Sequence, residues 1–196
     1  MRKLLASLLT ICLLSQTSFS QDAPIRPTAI GVSFILNDFT TAQRIRNSSV
    51  ENVLLEDRWG KVSEMSPGIA VTYFKGLRSH LDFAGTLAFS FTDVSLPNKA
   101  PFTSDGVLIE GDASVNLKML SEKYAFTPYL TAGIGASKYR SYWGAFIPVG
   151  AGLKLNILDE ASIFINTNYR IPVSVETNDY HFVYSIGVSG IIGKKR

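Results

Sequence analysis

Residues 180 to 193 read YHFVYSIGVSGIIG. One parity of this stretch is Tyr180, Phe182, Tyr184, Ile186, Val188, Gly190 and Ile192; the other is His181, Val183, Ser185, Gly187, Ser189, Ile191 and Gly193. A period of two held over so many residues predicts a β-strand with two chemically different faces, because successive side chains of a strand point to opposite sides.

The same period recurs seven more times toward the N-terminus. Ile30, Val32, Phe34 and Leu36 alternate with Gly31, Ser33, Ile35 and Asn37; Ile69, Val71 and Tyr73 alternate with Gly68, Ala70 and Thr72. Leu81, Phe83, Leu87, Phe89 and Phe91 oppose Asp82, Ala84, Thr86, Ala88 and Ser90, and Val107, Ile109, Val115 and Leu117 oppose Glu110, Asp112, Ser114 and Asn116. Leu130, Ala132 and Ile134 stand against Thr131, Gly133 and Gly135; Ile147, Val149, Ala151, Leu153 and Leu155 against Pro148, Gly150, Gly152, Lys154 and Asn156. Ile163, Ile165 and Tyr169 oppose Ser162, Asn166, Asn168 and Arg170. The prediction is an even set of eight strands. Their connections alternate between short (Lys75 to Ser79, Leu120 to Ala125, Leu158 to Glu160) and longer (Asp38 to Glu64, Asp93 to Ser104, Tyr139 to Trp143, Val173 to Asp179), the rhythm of an up-and-down barrel. Only Asp38 to Glu64 lacks the period of two, and within it Ser49 to Asp57 predicts a short helix, capped by serine and ended before Gly60.

The first twenty residues read as an address. Arg2 and Lys3 form a basic start, Leu4 to Leu14 is an apolar run, and Ser18-Phe19-Ser20 sets small residues around a cut before Gln21. That run is too short to span a bilayer as a helix. A lipoprotein reading of Leu9-Thr10-Ile11-Cys12 is disfavoured by Ile11. Cys12 is the single cysteine, so the exported chain carries no thiol. The divisions expected are a signal peptide 1–20, a short segment 21–27, a barrel 28–193 and a basic end 194–196. Without Arg2 and Lys3, 17 basic residues face 16 acidic ones, so the pI near 9.0 overstates any attraction to anions, and no basic stripe suggests nucleic acid. Charged residues make up 18% against roughly 25% in soluble domains, and mean hydropathy is +0.16. With no run of 18 apolar residues after Gln21, the excess apolarity is spread in short pieces.

Alternation alone does not say which face meets the core; a soluble lipocalin-like barrel has the same period with the faces reversed. The polar face decides it: it is dominated by Gly, Ala, Ser, Thr and Asn rather than Lys and Glu, which suits a narrow packed lumen. Each strand supplies about 9 to 11 residues, the length a tilted strand needs to cross a bilayer. Phe39, Phe91, Tyr139, Tyr142, Trp143, Tyr169 and Tyr180 gather near the long-loop ends, and Tyr73, Phe83, Tyr124, Phe126 and Tyr129 near the short turns, as two interfacial girdles.

On these residues the chain resembles the eight-stranded outer-membrane barrels of the OmpA/OmpX type, above all those of Bacteroidota. The likeness runs from Thr28 to Gly193 and is plainest in Gly31 to Thr41, Ser66 to Gly76 and Tyr129 to Gly135. It implies an all-β, eight-stranded antiparallel transmembrane barrel in the outer membrane of a Gram-negative cell, with membrane lipid and lipopolysaccharide as surroundings. The chain departs from the group's aromatic-ended last strand, closing instead on Ile192-Gly193-Lys194-Lys195-Arg196. Many relatives continue into a peptidoglycan-binding domain; here cell-wall anchoring is not implied.

Eight strands leave an interior that their own side chains fill. The inward parity carries Asp82, Glu110, Asp112, Lys118, Lys154 and Arg170, expected to form a lumen charge network in which each charge needs a partner. Counting from the loop side sets Glu110 and Arg170 at one height, as the leading pair. Small outer-membrane barrels include lipid A acyltransferases and deacylases, but His80 lies in a turn and His181 stands about 13 Å along its strand from Ser185, too far for base and nucleophile. No catalytic, cofactor or metal site is expected, and Asn47-Ser48-Ser49 is an empty sequon in a bacterial setting. The leading expectation is a monomeric barrel of structural or surface-interaction role, meeting an extracellular partner through Asp38 to Glu64 and too packed for a large pore. The alternatives are a soluble periplasmic lipocalin-like binding barrel and a lipid A-modifying enzyme.

Overall fold

The computed structural model describes residues 25–92, 106–121, 124–158, 160–174 and 179–192. The signal segment 1–20 with its Ser20/Gln21 cut, the whole Asp93 to Ser104 connection and the basic end 194–196 lie outside the described residues.

The described chain forms eight strands: β1 (Ala29–Asp38), β2 (Ser66–Arg78), β3 (Leu81–Thr92), β4 (Gly106–Lys118), β5 (Phe126–Tyr139), β6 (Tyr142–Leu158), β7 (Ala161–Pro172) and β8 (His181–Ile191). Each pairs antiparallel with the next, and β1 pairs with β8, so the sheet closes into a barrel with no free edge. Val32 of β1 lies between Val71 of β2 and Val188 of β8, which shows the apolar parities in register across the closure. The strands run from 10 to 17 residues, longer than the alternation alone marks out. They extend because the turns are tighter than expected. β2 continues through an irregularity at Gly76/Arg78 to a two-residue turn, Ser79-His80, where a wider Lys75 to Ser79 turn is expected. On the other rim, the connection expected at Tyr139 to Trp143 is the two-residue turn Arg140-Ser141, with Arg140 at φ 55°, the positive φ that a tight hairpin needs.

Burial is inverted relative to a water-soluble barrel. Ile134, Val188 and Phe91 are 71%, 61% and 68% exposed, whereas Asp82, Glu110 and His181 are at most 1% exposed. Inside, Ala29, Phe74, Ala84 and Phe164 pack together toward the turn end, and Ile35, Ala70, Ala88 and Val183 toward the loop end. Two aromatics assigned to the interfacial girdles, Tyr129 and Tyr139, belong to the inward parity and are buried in the lumen, and Phe39 turns inward over the mouth. Phe91, Trp143, Tyr73, Tyr124 and Phe126 are exposed on the outside.

The Asp38 to Glu64 connection is more structured than its sequence suggests. It holds α1 (Phe39–Asn47), α2 (Val50–Leu55) and a 3-10 turn at Val62–Glu64. β1 passes into α1 without a linker, because Asp38 ends the strand and caps the helix, accepting from the Thr41 amide at 2.8 Å. Ser49 caps α2 by accepting from the Asn52 amide. Asp57, at φ 51°, ends it, and the Arg58 amide returns to the Val53 carbonyl in a Schellman turn.

Candidate functional site

The inward charges divide into two clusters at opposite ends of the lumen rather than one network. At the loop end, Glu110 of β4 forms an ion pair with the Arg170 Nη1 of β7. β4 and β7 are three strands apart in a ring of eight, so the pair reaches across the interior. Arg170 Nη2 also lies 3.7 Å from Asp112, and its guanidinium sits 4.7 Å from the centre of the Phe146 ring. His181, register partner of Arg170, places Nε2 3.3 Å from Glu110 and Nδ1 3.0 Å from the Asp179 carbonyl. Phe39, the first residue of α1, stacks on the His181 ring at 4.4 Å. The helical loop and the lumen charges therefore share one residue.

At the turn end, Lys118 Nζ donates to Asp82 at 2.8 Å. Arg26, three residues before β1, enters this end: it lies 3.7 Å from Asp82, donates to the Ser189 hydroxyl at 3.2 Å and covers the Phe74 ring at 4.1 Å. Gly76 makes room for it, since a Cβ there would stand 2.5 Å from the Arg26 carbonyl. Lys154, also buried, lines the same end with Tyr129, Thr127 and Phe164. Phe74 and Phe164 meet edge to face at 5.4 Å, adding an apolar layer beside the charges. Between the clusters is a cavity of about 30 Å³, lined by hydroxyls and amides such as Thr72, Ser114, Asn168 and Ser185. At roughly 10–15 Å³ per water centre, it has room for two or three waters.

Above the mouth, one arginine organises the loop. Arg44 donates to the carbonyls of Arg58 at 3.1 Å and Trp59 at 3.4 Å, and pairs with Glu64 at 3.3 Å. Gly60 is seated against the α1 cap: its amide donates to the Thr41 hydroxyl at 2.7 Å, and a Cβ would lie 2.8 Å from the Asp38 carboxylate. Glu64 accepts from the Lys61 amide at 3.0 Å, and that bond, helped by Arg44, holds its carboxyl below the usual carboxylate range. Arg46 pairs with Asp179 at 3.7 Å and covers the Tyr180 ring at 4.1 Å.

Sequence reasoning missed Arg26 and α1, and it weighed His181 only as a catalyst. Arg26 precedes the alternating pattern, so nothing local marks it as a lumen residue. His181 does lie on the inward parity, which was a usable signal. Chemically, the loop-end acid and base are sealed from solvent, and His80 sits in the β2–β3 turn with Nδ1 3.0 Å from the Ser79 hydroxyl. Among the described residues no group of three or more His, Cys, Asp or Glu is placed to hold a metal ion.

No protein-family model and no curated protein sequence matches the chain. Solved structures do. Neisserial surface protein A, from Neisseria, superposes with a TM-score of 0.57 at 12% identity, over 86% of this chain and 99% of that one. Ail, the attachment invasion locus protein of Yersinia pestis, superposes with a TM-score of 0.52 at 11% identity, over 85% and 99%. At such identities the likeness speaks for architecture alone, and the chain shares with these bacterial surface proteins the eight-stranded antiparallel barrel fold.

Proposed function

We propose that the protein is an integral outer-membrane barrel, exported by a cleaved N-terminal signal, with a structural or surface-interaction role carried by its loop rim. The observation that carries this reading is the inverted burial: a continuous apolar belt outside a closed barrel whose interior is polar and charged. In water such a belt forfeits roughly 25 cal/mol for each Å² of apolar surface left wet; in lipid it is the ordinary outer face. The similarity to a surface protein and to an attachment invasion locus protein is in keeping with a role at the cell surface. Lipopolysaccharide and lipid surround the belt, the barrel is monomeric, and any extracellular partner meets the Asp38 to Glu64 loop. The lumen is closed to large solutes by the Glu110–Arg170 pair with Phe146 at one end and by Arg26, Phe74 and Phe164 at the other. A lipocalin-like role needs a roomy apolar ligand cavity, whereas the cavity between the two charge clusters has about 30 Å³ and many polar lining side chains.

Membrane fractionation followed by gel migration with and without boiling tests the reading. Detergent-dependent extraction and a heat-modifiable band are expected; full solubility without detergent defeats it. Trypsin added to intact cells is expected to cut at Arg44, Arg46, Arg58 or Lys61 while a tag after Arg196 stays protected, and surface labelling of that tag inverts the topology.

A further inference from the structure

The helical loop leaves an apolar surface that the barrel does not cover. Of the α2 side chains only Val53 is buried; Val50, Leu54 and Leu55 are 52%, 62% and 77% exposed, and Val62 nearby is 69% exposed. A six-residue helix is too short to persist in water on its own propensity, so a cover for its open apolar side is expected. The segment that follows α2 runs back onto the barrel wall. Trp59 does not point upward from the mouth: its ring packs at 6.1 Å on Phe182, a residue of the outward parity of β8. Phe182 in turn lies 4.7 Å from Tyr169 and 6.2 Å from Tyr184, and the same parity continues down the wall as the exposed Ile186 and Val188. Trp59 thus joins the aromatic band that crowns the apolar belt. Its position is fixed by Arg44, bonded to its carbonyl, and by Gly60, seated against Asp38 and Thr41. The Schellman turn that returns the Arg58 amide to the Val53 carbonyl holds the end of α2 within one turn of chain from Trp59.

We infer that Trp59 and the open face of α2, Val50, Leu54 and Leu55, lie in the outer leaflet at the boundary between headgroups and acyl chains, making the loop a membrane-interface paddle. The inference rests on the membrane reading above. Continuity with the belt selects lipid as the occupant: a protein partner would have to straddle the water–lipid boundary to cover both Trp59 and α2. Apolar area supplies the contact rather than net charge, since Arg44 is matched by Glu64 and Arg58 by Glu56 at 3.2 Å. An aromatic anchor close to exposed aliphatic side chains is a usual feature of an interfacial segment.

The chain has two tryptophans, Trp59 and Trp143, so Trp143→Phe leaves Trp59 as the sole emitter. The full chain carrying that change is reconstituted into vesicles containing lipid brominated near the headgroup end of the acyl chains, and a heat-modifiable band verifies folding. Trp59 emission is expected to fall several-fold with brominated lipid and to respond weakly to aqueous acrylamide. A bimane label at Leu55→Cys, in a Cys12→Ser background, is expected to behave alike, with the same label at Val188→Cys as reference for the belt. Label 188 quenched by lipid while label 55 and Trp59 answer only to acrylamide overturns the paddle and leaves the membrane reading standing. All three answering only to acrylamide defeats the membrane reading itself. Trp59 and label 55 shielded from both quenchers means a protein cover, a second copy of this chain included, and also overturns the paddle.

Discussion

Arg170→Ala isolates the energetics of the closed lumen. Arg170 serves two carboxylates: Glu110 by direct ion pair and Asp112 at 3.7 Å. Its side chain is 3% exposed, that of Glu110 0% and that of Asp112 8%, so little water is at hand to replace the guanidinium. Unit charges about 4 Å apart attract by roughly 4 kcal/mol at an effective dielectric near 20. Removing one partner of such a buried pair typically costs about 3–5 kcal/mol, mostly as the penalty of the charge left behind. Here the polar His181 ring, with Nε2 3.3 Å from Glu110, stays beside that carboxylate and offsets part of the loss, while Arg170 is the one described Lys or Arg in an ion pair with Asp112. The expected loss is therefore about 3 kcal/mol, near the lower end of that range. Urea unfolding of the protein in vesicles, followed by tryptophan emission and by the heat-modifiable band, reads it as a lowered midpoint. A triple variant, Glu110→Gln with Asp112→Asn and Arg170→Met, removes the charges together and is expected to recover most of the stability, since buried ion pairs replaced by neutral groups are often no less stable. An unchanged midpoint in Arg170→Ala, or a triple variant as weak as the single one, refutes the reasoning.

Other perturbations address the remaining features. Val188→Arg, on the outer face between Val32 and Ile163, is expected to destabilise the lipid-embedded barrel by about 2 to 4 kcal/mol if the residue lies near the midplane, read by refolding into vesicles; refolding indistinguishable from wild type means that the face does not meet lipid. Asp38→Ala removes the α1 cap, a loss of about 0.5–2 kcal/mol, and is expected to speed trypsin cleavage at Arg44 and Arg46 with no change in the heat-modifiable band. Because the Glu64 carboxyl is held below its usual range in the fold, its stabilisation of the loop is present above the unfolded carboxylate range and lost as pH falls through the lowered value. Hydrogen exchange at the Lys61 amide is accordingly expected to accelerate only under strongly acidic conditions, and an acceleration already present near neutrality contradicts this. Purified protein in planar bilayers is expected to show no porin-sized conductance, and Arg170→Ala to add small flickering events; stable large channels from the unmodified chain defeat the packed lumen.

The barrel was legible because a period of two is a local property repeated eight times. Each strand announces its two faces in its own residues, as in Val32, Phe34, Ser33 and Ile35 of β1, and closure follows from having no edge strand whose composition differs from the rest. What escaped was set by geometry between strands. Whether Asp82 meets Lys118 or a charge at the far end depends on the β3–β4 register, in which Asp82 lies opposite Asn116, and on the tight Ser79-His80 turn. Arg26 reaches the lumen because closure brings Ser189 and Gly76 to it, 163 residues away in the first case. The α1 segment FTTAQRIRN has few apolar residues, and its start signal, Asp38, also reads as the end of a strand. By contrast Ser49 announces α2 openly, because its cap is not shared with another element.

The position of His181 links these two levels of legibility. One of its nitrogens faces the Asp179 carbonyl, the other Glu110, and its ring carries Phe39. The loop thus caps the lumen by contact with a residue that is already part of the charge cluster, and α1 cannot lift from the mouth without opening the His181 ring to water. Phe39→Ala removes that cover while leaving every charge in place. Water then solvates Glu110 and Arg170 and weakens their mutual attraction, since the pair's strength depends on the low dielectric around it. A loop substitution should therefore be felt in the lumen: Phe39→Ala is expected to lower the urea midpoint and to reduce the additional loss caused by Arg170→Ala, a non-additivity measured by the double-mutant cycle. Strict additivity of the two changes would show that the loop and the lumen cluster are energetically separate despite the stacking.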